Sequence, residues 1–402
     1  MTDTPAPLLD VARPARVHNI PQTVAAMKAA GGSPAGFFFE WLKLRLGRNR
    51  LPLSDYLTMK LWDKTLYSGA KLDTFTGKSE KAREIYRAAN FIPEVQALAG
   101  SKLASNAILT AHGLPVVPLL GLHTARAFPG PGRTATPEAL ASFLLNDLSY
   151  PAFGKPLWGI QSLGSVSLSS RDAAAGTVTL QNGGTVEALR LAREIHAAYF
   201  MHGYIFQPRL APHPDVKAVC GDRLATVRVL TAERKAYGPC VLRTCWKIPA
   251  GASNADNFWR AGNILAGIDA ETGAVTRAVT GSGSALREVE THPDTGARLP
   301  GLAVPLWEDI CRTALFGATA MSGFWLLGWD IAATADGSVI LDVNEKPDFV
   351  MHQMADRRGV IDETFAEFLA DRRAERRDWN RRTREDGRND LKASYDFSAP
   401  EK

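Results

Sequence analysis

Residues 328–344 read GWDIAATADGSVILDVN, two runs of strand-forming residues separated by Ala335-Asp336-Gly337. This pattern predicts a β-hairpin. If the loop has three residues and Gly337 adopts a positive φ, Asp330 lies directly opposite Asp342. A two-residue turn at Asp336-Gly337 would instead place Asp330 opposite Val343 and separate the two carboxylates. The loop length therefore decides whether the two acids meet.

In the three-residue register, Asn344 shares a face with Asp330 and Asp342, because side chains two apart on a strand point the same way. Like charges directly opposite on a sheet repel unless a positive charge lies between them. Mg²⁺ prefers oxygen ligands and commonly takes one or two carboxylates with substrate phosphates. The hairpin therefore indicates a Mg²⁺ site at Asp330, Asp342 and Asn344, the alternative being an exposed hairpin whose acids face water. The opposite face then carries Val339, Leu341 and Val343.

A second group of residues has the properties of a phosphate site. The predicted strand from Tyr150 to Lys155 delivers a lysine at its end, directly before LWGIQSLGS at 157–165. A lysine is a compact positive charge, and glycines and serines let backbone N–H groups approach phosphate oxygens. The spacing matches neither the Walker pattern nor GxGxxG, so an ordinary loop is the alternative. Lys102, at a helix end, is a weaker candidate.

Two strand segments carry further polar candidates. Arg228 interrupts the apolar run LATVRVLT at 224–231, and an unpaired buried arginine is costly, so it should meet a protein carboxylate or a phosphate. Arg243 is a lesser candidate of the same kind. Phe206-Gln207 offers an apolar side chain, an amide and backbone edges that could hold an adenine, or it forms a core strand.

Composition limits the class of protein. The chain has 402 residues, 45% hydrophobic and 22% charged, enough for a substantial core. We expect a cytoplasmic protein, since no apolar run reaches the length of a membrane span and the N-terminus lacks the apolar core of a signal peptide. The four cysteines show no ligand spacing and are expected to be reduced. The net charge of +5 suits an anionic ligand without implying nucleic acid, and the basic run 372–388 is interleaved with acids.

The order of predicted elements indicates an α+β protein. Helical periodicity covers about 23–90, and a helix carrying Ser101-Lys102-Leu103 ends near Gly113. A short strand at 116–120 precedes a helix that opens at Pro137. The later segments predict a hairpin of 166–169 with 177–180, a helix at 186–199, strands at 204–207, 224–230 and 241–246, and a helix around 307–321. Beyond about Asp371 the charged tail is expected to be helical or loosely ordered.

Taken together and in this order, these segments resemble the ATP-grasp superfamily. The resemblance is carried by Lys102, Lys155 with its Gly/Ser loop, Phe206-Gln207, Arg228, Asp330 and the Asp342-Val343-Asn344 segment. More narrowly, the runs from Asp222 to Thr231, Asp256 to Gly262 and Gly328 to Asn344 resemble the sugar-transfer associated ATP-grasp proteins. The resembling parts cover roughly residues 95–360. The position of Asp342 is usually glutamate in the superfamily.

The resemblance implies an ATP-grasp fold, in which two α+β subdomains clamp ATP, here with a helical N-terminal region. We expect four parts: helices at 1–95, a subdomain with the phosphate-binding lysines at 96–203, a subdomain with the metal site at 204–370, and a charged tail at 371–402. Lys155 and Arg228 would be catalytic, and Asp330, Asp342 and Asn344 would hold Mg²⁺. The implied ATP-binding residues are Lys102, Lys155, Ser162, Gly164, Ser165, Phe206, Gln207 and Arg228.

The reaction that this resemblance implies is ATP-dependent ligation of a small-molecule carboxylate to an amine through an acyl phosphate. A phosphotransferase that uses the same ATP clamp is one alternative, and a non-catalytic nucleotide-binding scaffold is another. Asn257, Asn263 and Arg357-Arg358 are further candidates for contact with the substrate. We expect no nucleic acid and no membrane among the partners, and we keep a homodimer open.

Overall fold

Two seven-stranded sheets form the frame of the protein in a computed structural model that describes residues 8–9, 20–125, 132–158, 163–235, 238–251 and 257–394. The α+β prediction is confirmed, and so is the helical N-terminal region. The helices before the first sheet are α1 (Ile20–Ala29), α2 (Pro34–Leu46), α3 (Leu53–Thr58), α4 (Glu80–Ala89), α5 (Pro93–Gly100) and α6 (Lys102–Ala111).

The helix predicted around Ser101 is in fact two helices. Ser101 ends the first and caps the second, because its backbone is extended and its hydroxyl accepts a hydrogen bond from the Ala104 N–H at 3.4 Å. Serine at an N-cap satisfies a backbone donor that the helix leaves unpaired. Lys102 is thereby placed in the first turn of α6.

The first sheet contains β1 (Gly121–His123), β2 (Arg133–Thr134), β3 (Ala152–Pro156), β4 (Val166–Asp172), β5 (Thr177–Leu180), β6 (Thr185–Glu187) and β7 (Tyr204–Pro208). Their order is β2-β1-β7-β3-β4-β5-β6. Helices α7 (Pro137–Asn146) and α8 (Ala188–Tyr199) pack against it around a core that includes Leu140, Leu168, Ile195 and Phe206. Helix α8 begins two residues later than predicted, because Thr185–Glu187 forms the edge strand β6.

The strand predicted at 116–120 is wrong in its position. Val116 makes an isolated bridge to Ile340, and regular pairing begins at Gly121. Pro115 and Pro118 lack the N–H that a ladder requires, which explains the short pairing. The segment instead connects the two sheets, since the Ile340 N–H donates to the Pro115 carbonyl and the Leu120 N–H donates to the Phe206 carbonyl, both at 2.8 Å.

The second sheet is antiparallel throughout, in the order β12-β11-β10-β9-β8-β13-β14. Its strands are β8 (Thr226–Arg234), β9 (Gly238–Ile248), β10 (Ile264–Ile268), β11 (Val275–Thr280), β12 (Arg287–Glu288), β13 (Leu326–Thr334) and β14 (Gly337–Asn344). The helices of this half are α9 (Pro214–Cys220), α10 (Trp307–Ala320), α11 (Phe349–Asp356) and α12 (Glu363–Ser394).

Alternate residues of the second sheet serve two different cores. Ile264 and Ala266 face a core that contains α10, whereas Leu265 between them packs with Trp62 of the N-terminal region and Met351 of α11. A sheet that is covered on both faces can be apolar along the whole strand. The N-terminal helices therefore cover the face of the sheet opposite to α10.

Candidate functional site

A cavity of about 380 Å³ is lined by strands of both sheets and by residues of the N-terminal region. Eight cationic and four acidic side chains contribute to its wall, so the cavity suits an anionic ligand. The predicted site residues on this wall are Lys102, Lys155, Ser165, Gln207, Arg228, Asp330, Asp342 and Asn344. Residues that were predicted from segments far apart in the chain are thus brought together.

The hairpin of β13 and β14 places Asp330 opposite Asp342, but not for the predicted reason. Thr334 pairs with Gly337, so the loop has two residues, Ala335 and Asp336, and Gly337 opens β14 with a φ of 123°. The pairing then shifts by one residue between Asp330 and Ile331. An extra residue in one strand is a β-bulge, and this one restores the register that the shorter loop would have lost.

The bulge also changes where Leu341 points. We predicted that Leu341 shares the face of Val343, but Leu341 lines the cavity beside Asp342, whereas Val343 is buried in the core. The carbonyl of Leu341 accepts a hydrogen bond from Lys155 Nζ at 3.3 Å. A lysine near the end of β3 in the first sheet therefore contacts the β13–β14 hairpin of the second.

Arg228, Asp330 and Lys247 form a buried charged group at the centre of the cavity wall. Arg228 binds Asp330 through two hydrogen bonds, Nε to Oδ1 at 2.6 Å and Nη2 to Oδ2 at 2.8 Å. Lys247 Nζ lies 2.8 Å from the same Oδ1. All three residues are less than 9% exposed. The anion expected for Arg228 is therefore a protein carboxylate, which Arg228 and Lys247 share.

Burial and charge oppose each other within this group. Burial alone would raise the pKa of Asp330, but the positive charges of Arg228 and Lys247 outweigh it and hold that pKa below its ordinary value. Burial likewise disfavours the charged form of Arg228, and the carboxylate of Asp330 reverses this and raises the pKa of the guanidinium. Asp330 and Arg228 are therefore ionised together.

Asp342 is bound more loosely than Asp330. Lys102 Nζ lies 3.2 Å from Asp342 Oδ2 and 3.3 Å from Oδ1, and the carboxylate is 29% exposed. Asn344 donates a long hydrogen bond of 3.4 Å to the Gly328 carbonyl, which leaves its amide oxygen for another partner. Asp342 and Asn344 thus present oxygen atoms to the cavity that fit a hard cation such as Mg²⁺, with Asp330 beside them. The described residues contain no cluster of three His, Cys, Asp or Glu side chains that could hold a metal ion. The Asn344 amide is therefore a necessary member of this candidate site.

Gln207 and Phe206 lie on opposite faces of β7. Gln207 lines the cavity and donates to the Val117 carbonyl at 3.1 Å, next to the segment that joins the sheets. Phe206 is fully buried in the core of the first sheet. The Phe206 side chain faces away from the cavity, because successive side chains of a strand alternate between faces. The predicted adenine contact of the Phe206-Gln207 segment stays a prediction.

The predicted Gly/Ser loop contributes two residues to the described cavity wall, Leu163 and Ser165. Gly164 lies away from the cavity: its φ is +75°, and a Cβ there would stand 2.0 Å from the Tyr199 hydroxyl. Its carbonyl accepts a hydrogen bond from Tyr204 at 2.8 Å, so Gly164 anchors the loop to the core. Ser162 lies outside the described residues.

The structure adds cavity residues that the sequence did not suggest. Lys247 was missed because it stands near the end of strand β9 with no motif around it. Lys78, from the N-terminal region, lies 2.6 Å from Asp348 and 5.2 Å from the ring centre of Trp259, whose Nε1 donates to Asp348 at 3.2 Å. All three line the cavity. Interleaved charges of this kind have no sequence spacing that would reveal them.

Of the other candidates for substrate contact, Asn257 lines the cavity. Asn263 is buried and instead supports the backbone, accepting from the Ala250 N–H at 2.9 Å and donating to the Asn257 carbonyl at 2.8 Å. Arg357 pairs with Glu288.

A family model matches one segment of this chain. The model of the sugar-transfer associated ATP-grasp family matches residues 195–366, which confirms the resemblance over that segment. The matched segment includes Arg228, Lys247 and the hairpin of β13 and β14. No curated protein sequence matches the chain. No described helix is both long enough and apolar enough to cross a membrane.

Several solved structures share the fold at low identity. The D-alanine–D-alanine ligase from Coxiella burnetii is 13% identical, with 73% of this chain and 63% of that chain covered and a TM-score of 0.42. The D-alanine–D-alanine ligase from Bacillus anthracis complexed with ATP is 12% identical, with coverages of 69% and 68% and a TM-score of 0.39. The L-amino acid ligase from Bacillus licheniformis is 13% identical, with coverages of 65% and 43% and a TM-score of 0.33. The chain thus spans less than two thirds of the Coxiella ligase.

Proposed function

We propose that the cavity binds ATP with Mg²⁺ and that the protein is an ATP-dependent ligase, which joins a small-molecule carboxylate to an amine. The observation that carries this proposal is the meeting of Lys102, Lys155, Arg228, Asp342 and Asn344 around one cationic cavity, within or beside the segment that matches the ATP-grasp family. We retain as part of the proposal the division of the chain at residues 95, 203 and 370.

The nucleotide would lie between the two sheets. Lys155 and Lys102 would contact its phosphates, since each lines the cavity and each already bonds an oxygen of β14, the Leu341 carbonyl or the Asp342 carboxylate. Gln207 and Val117 would border the base. Asp342, Asn344 and Asp330 would hold Mg²⁺, which neutralises charge on the β- and γ-phosphates when bound.

The chemistry would begin with attack of a substrate carboxylate oxygen on the γ-phosphorus, while the bond from that phosphorus to the bridging oxygen of ADP breaks. An amine then attacks the acyl carbon, phosphate leaves, and the amine proton passes to solvent. Arg228 and Lys247 are fixed by Asp330 before any ligand arrives, so their charge requires no reorganisation when negative charge develops. Positioning and charge neutralisation supply most of the catalysis in such transfers.

Calorimetric titration with ATP, with and without Mg²⁺, tests the nucleotide site. We expect Mg²⁺-dependent binding that Lys155→Ala and Asp342→Ala each weaken at least tenfold. Lys64→Ala is the matched control, because Lys64 pairs with Glu40 on the N-terminal region and is not part of the cavity wall. Wild-type protein that binds no nucleotide under any metal condition would overturn the proposal.

The ligase step has a separate test. Hydroxylamine intercepts an acyl phosphate as a hydroxamate, so incubation with ATP, Mg²⁺ and a panel of carboxylates should yield hydroxamate and ADP together. ADP with a phosphorylated alcohol would identify a phosphotransferase instead. Binding without any ADP release across the carboxylate and amine panels would favour a nucleotide-binding scaffold.

A further inference from the structure

Helix α2 presents a strongly apolar face to solvent. Phe38, Phe39 and Leu46 are 51%, 66% and 78% exposed, and Leu42 is partly exposed between them. Each residue of an α-helix turns by about 100°, which places these four side chains within an arc of about 100°. We call this arc the outer face of α2. Large apolar side chains grouped on a surface mark an interaction site.

The opposite side of the helix explains why this face is free. Phe37, Trp41 and Leu44 pack against the core of the N-terminal region, with the Phe37 ring centre 5.9 Å from that of Trp62. Trp41 also donates from Nε1 to the Leu51 carbonyl at 3.2 Å. The helix is therefore held in place mainly through its inner side. Of the outer face, Phe38 also contacts Trp41, with ring centres 5.4 Å apart, while Phe39 and Leu46 remain largely exposed.

Cations border the outer face on both edges. Lys43 and Arg45 are exposed and fall about 40° and 20° beyond its two limits by helix geometry. Arg48 follows directly after the helix and is also exposed. The acid of α2, Glu40, lies on the inner side, where it accepts from the Tyr56 hydroxyl at 2.9 Å and pairs with Lys64 at 2.6 Å. The charges that α2 itself places at the edges of the outer face are thus both basic.

We propose that the outer face of α2 docks this protein on the surface of an anionic lipid bilayer, with the phenylalanines inserted and the cations among the headgroups. A helix with Phe and Leu on one face and Lys or Arg at its edges lies in the membrane interface, and its affinity combines buried apolar area with attraction to anionic lipid. The proposal replaces our expectation that a membrane is not a partner. It does not depend on the nucleotide site.

Charge argues against a second copy of the chain as the occupant. In a two-fold interface the same patch meets itself, so Lys43 and Arg45 of one copy would face the same cations of the other. The outer face carries no carboxylate to compensate them. An anionic headgroup layer, in contrast, complements both edges at once.

Sedimentation with large vesicles tests the proposal. Wild-type protein should bind vesicles of phosphatidylcholine with about one third phosphatidylserine, bind pure phosphatidylcholine at least tenfold less, and be released at high salt. The double variant Phe39→Ser with Leu46→Ser should lose binding at least tenfold, and Arg45→Glu severalfold. These side chains are exposed, so urea unfolding should match that of the wild type.

Matched control variants distinguish binding through the outer face from nonspecific hydrophobic adsorption and from an effect of net charge. Phe316→Ser removes a phenylalanine that is 62% exposed on α10, and Arg377→Glu makes the same charge change as Arg45→Glu at an exposed site on α12. Neither should alter vesicle binding. Failure of the wild type to bind anionic vesicles at low salt would overturn the proposal, as would equal losses in the control variants. A dimer that the Phe39/Leu46 variant abolishes, without vesicle binding, would assign the face to a second copy and overturn it too.

Discussion

Replacement of Asp330 with asparagine removes the carboxylate that Arg228 and Lys247 share. The two cations would remain buried, less than 9% exposed, without the charge that compensates them. Removal of one partner from a buried ion pair costs about 3–5 kcal/mol. Asparagine keeps one acceptor oxygen, so we expect Asp330→Asn to lower the free energy of unfolding by about 3 kcal/mol, the lower end of that range.

Lys247→Met is the informative comparison. It removes one cation but leaves the two-bond contact between Arg228 and Asp330, and the apolar stem keeps most of its volume, so we expect a loss of about 1 kcal/mol. Urea unfolding followed by tryptophan fluorescence measures both variants, because Trp246 and Trp329 are 1% and 0% exposed in this half of the protein. If Asp330→Asn were no more destabilising than Lys247→Met, the charge argument for this group would be refuted.

Three further changes test other parts of the structure. Burial raises the pKa of Asp356 to about 6, so the free energy of unfolding should fall by up to about 3 kcal/mol as pH rises from about 4 through 6. Urea unfolding at a series of pH values should show this fall for the wild type and not for Asp356→Asn. Parallel pH profiles of the two proteins would contradict the prediction. Gly317→Ala puts a Cβ 2.6 Å from the Trp329 ring, so the cost of overpacking should exceed the gain in helix propensity. We expect the free energy of unfolding, measured with urea, to fall by about 1 kcal/mol. A more stable variant would show that α10 shifts freely. Lys102→Met breaks a partly buried pair with Asp342, and we expect it to change stability by less than about 1 kcal/mol. It should weaken ATP binding at least tenfold in the calorimetric titration, and unchanged affinity would remove Lys102 from the proposed site.

Local sequence patterns predicted most helices and strands, and the hairpin of β13 and β14 shows what such patterns cannot predict. Strand propensity and the Gly337 signal predicted β13 and β14, whereas the pairing of Asp330 with Asp342 followed only from an assumed three-residue loop that the structure does not have. The two-residue loop and the bulge were not predictable, because two departures from regular geometry cancel at the acids. Their one visible effect on the face pattern is at Leu341, which lines the cavity although regular alternation predicts that it faces the core.

The charged contacts of the site were less predictable than its strands. Arg228 was expected to meet an anion, but the choice between a carboxylate and a phosphate depends on which residue lies opposite on the neighbouring strand. Asp330 is that residue, 102 positions further along the chain. The roles of Lys247 and Lys78 could not be predicted from the sequence for the same reason, since each meets its partner only through tertiary packing.

The short segment from Pro115 to Leu120 gives the two walls of the cavity a common pivot. Its first residue is hydrogen-bonded to β14, its last to β7, and two prolines stiffen the path between them. Asn106 and Gln207 both donate to the Val117 carbonyl near its middle. We therefore expect the walls to part by rotation about this segment. The contact of Lys155 with Leu341 should move little, because Leu341 directly follows Ile340, whose N–H is bonded to the segment.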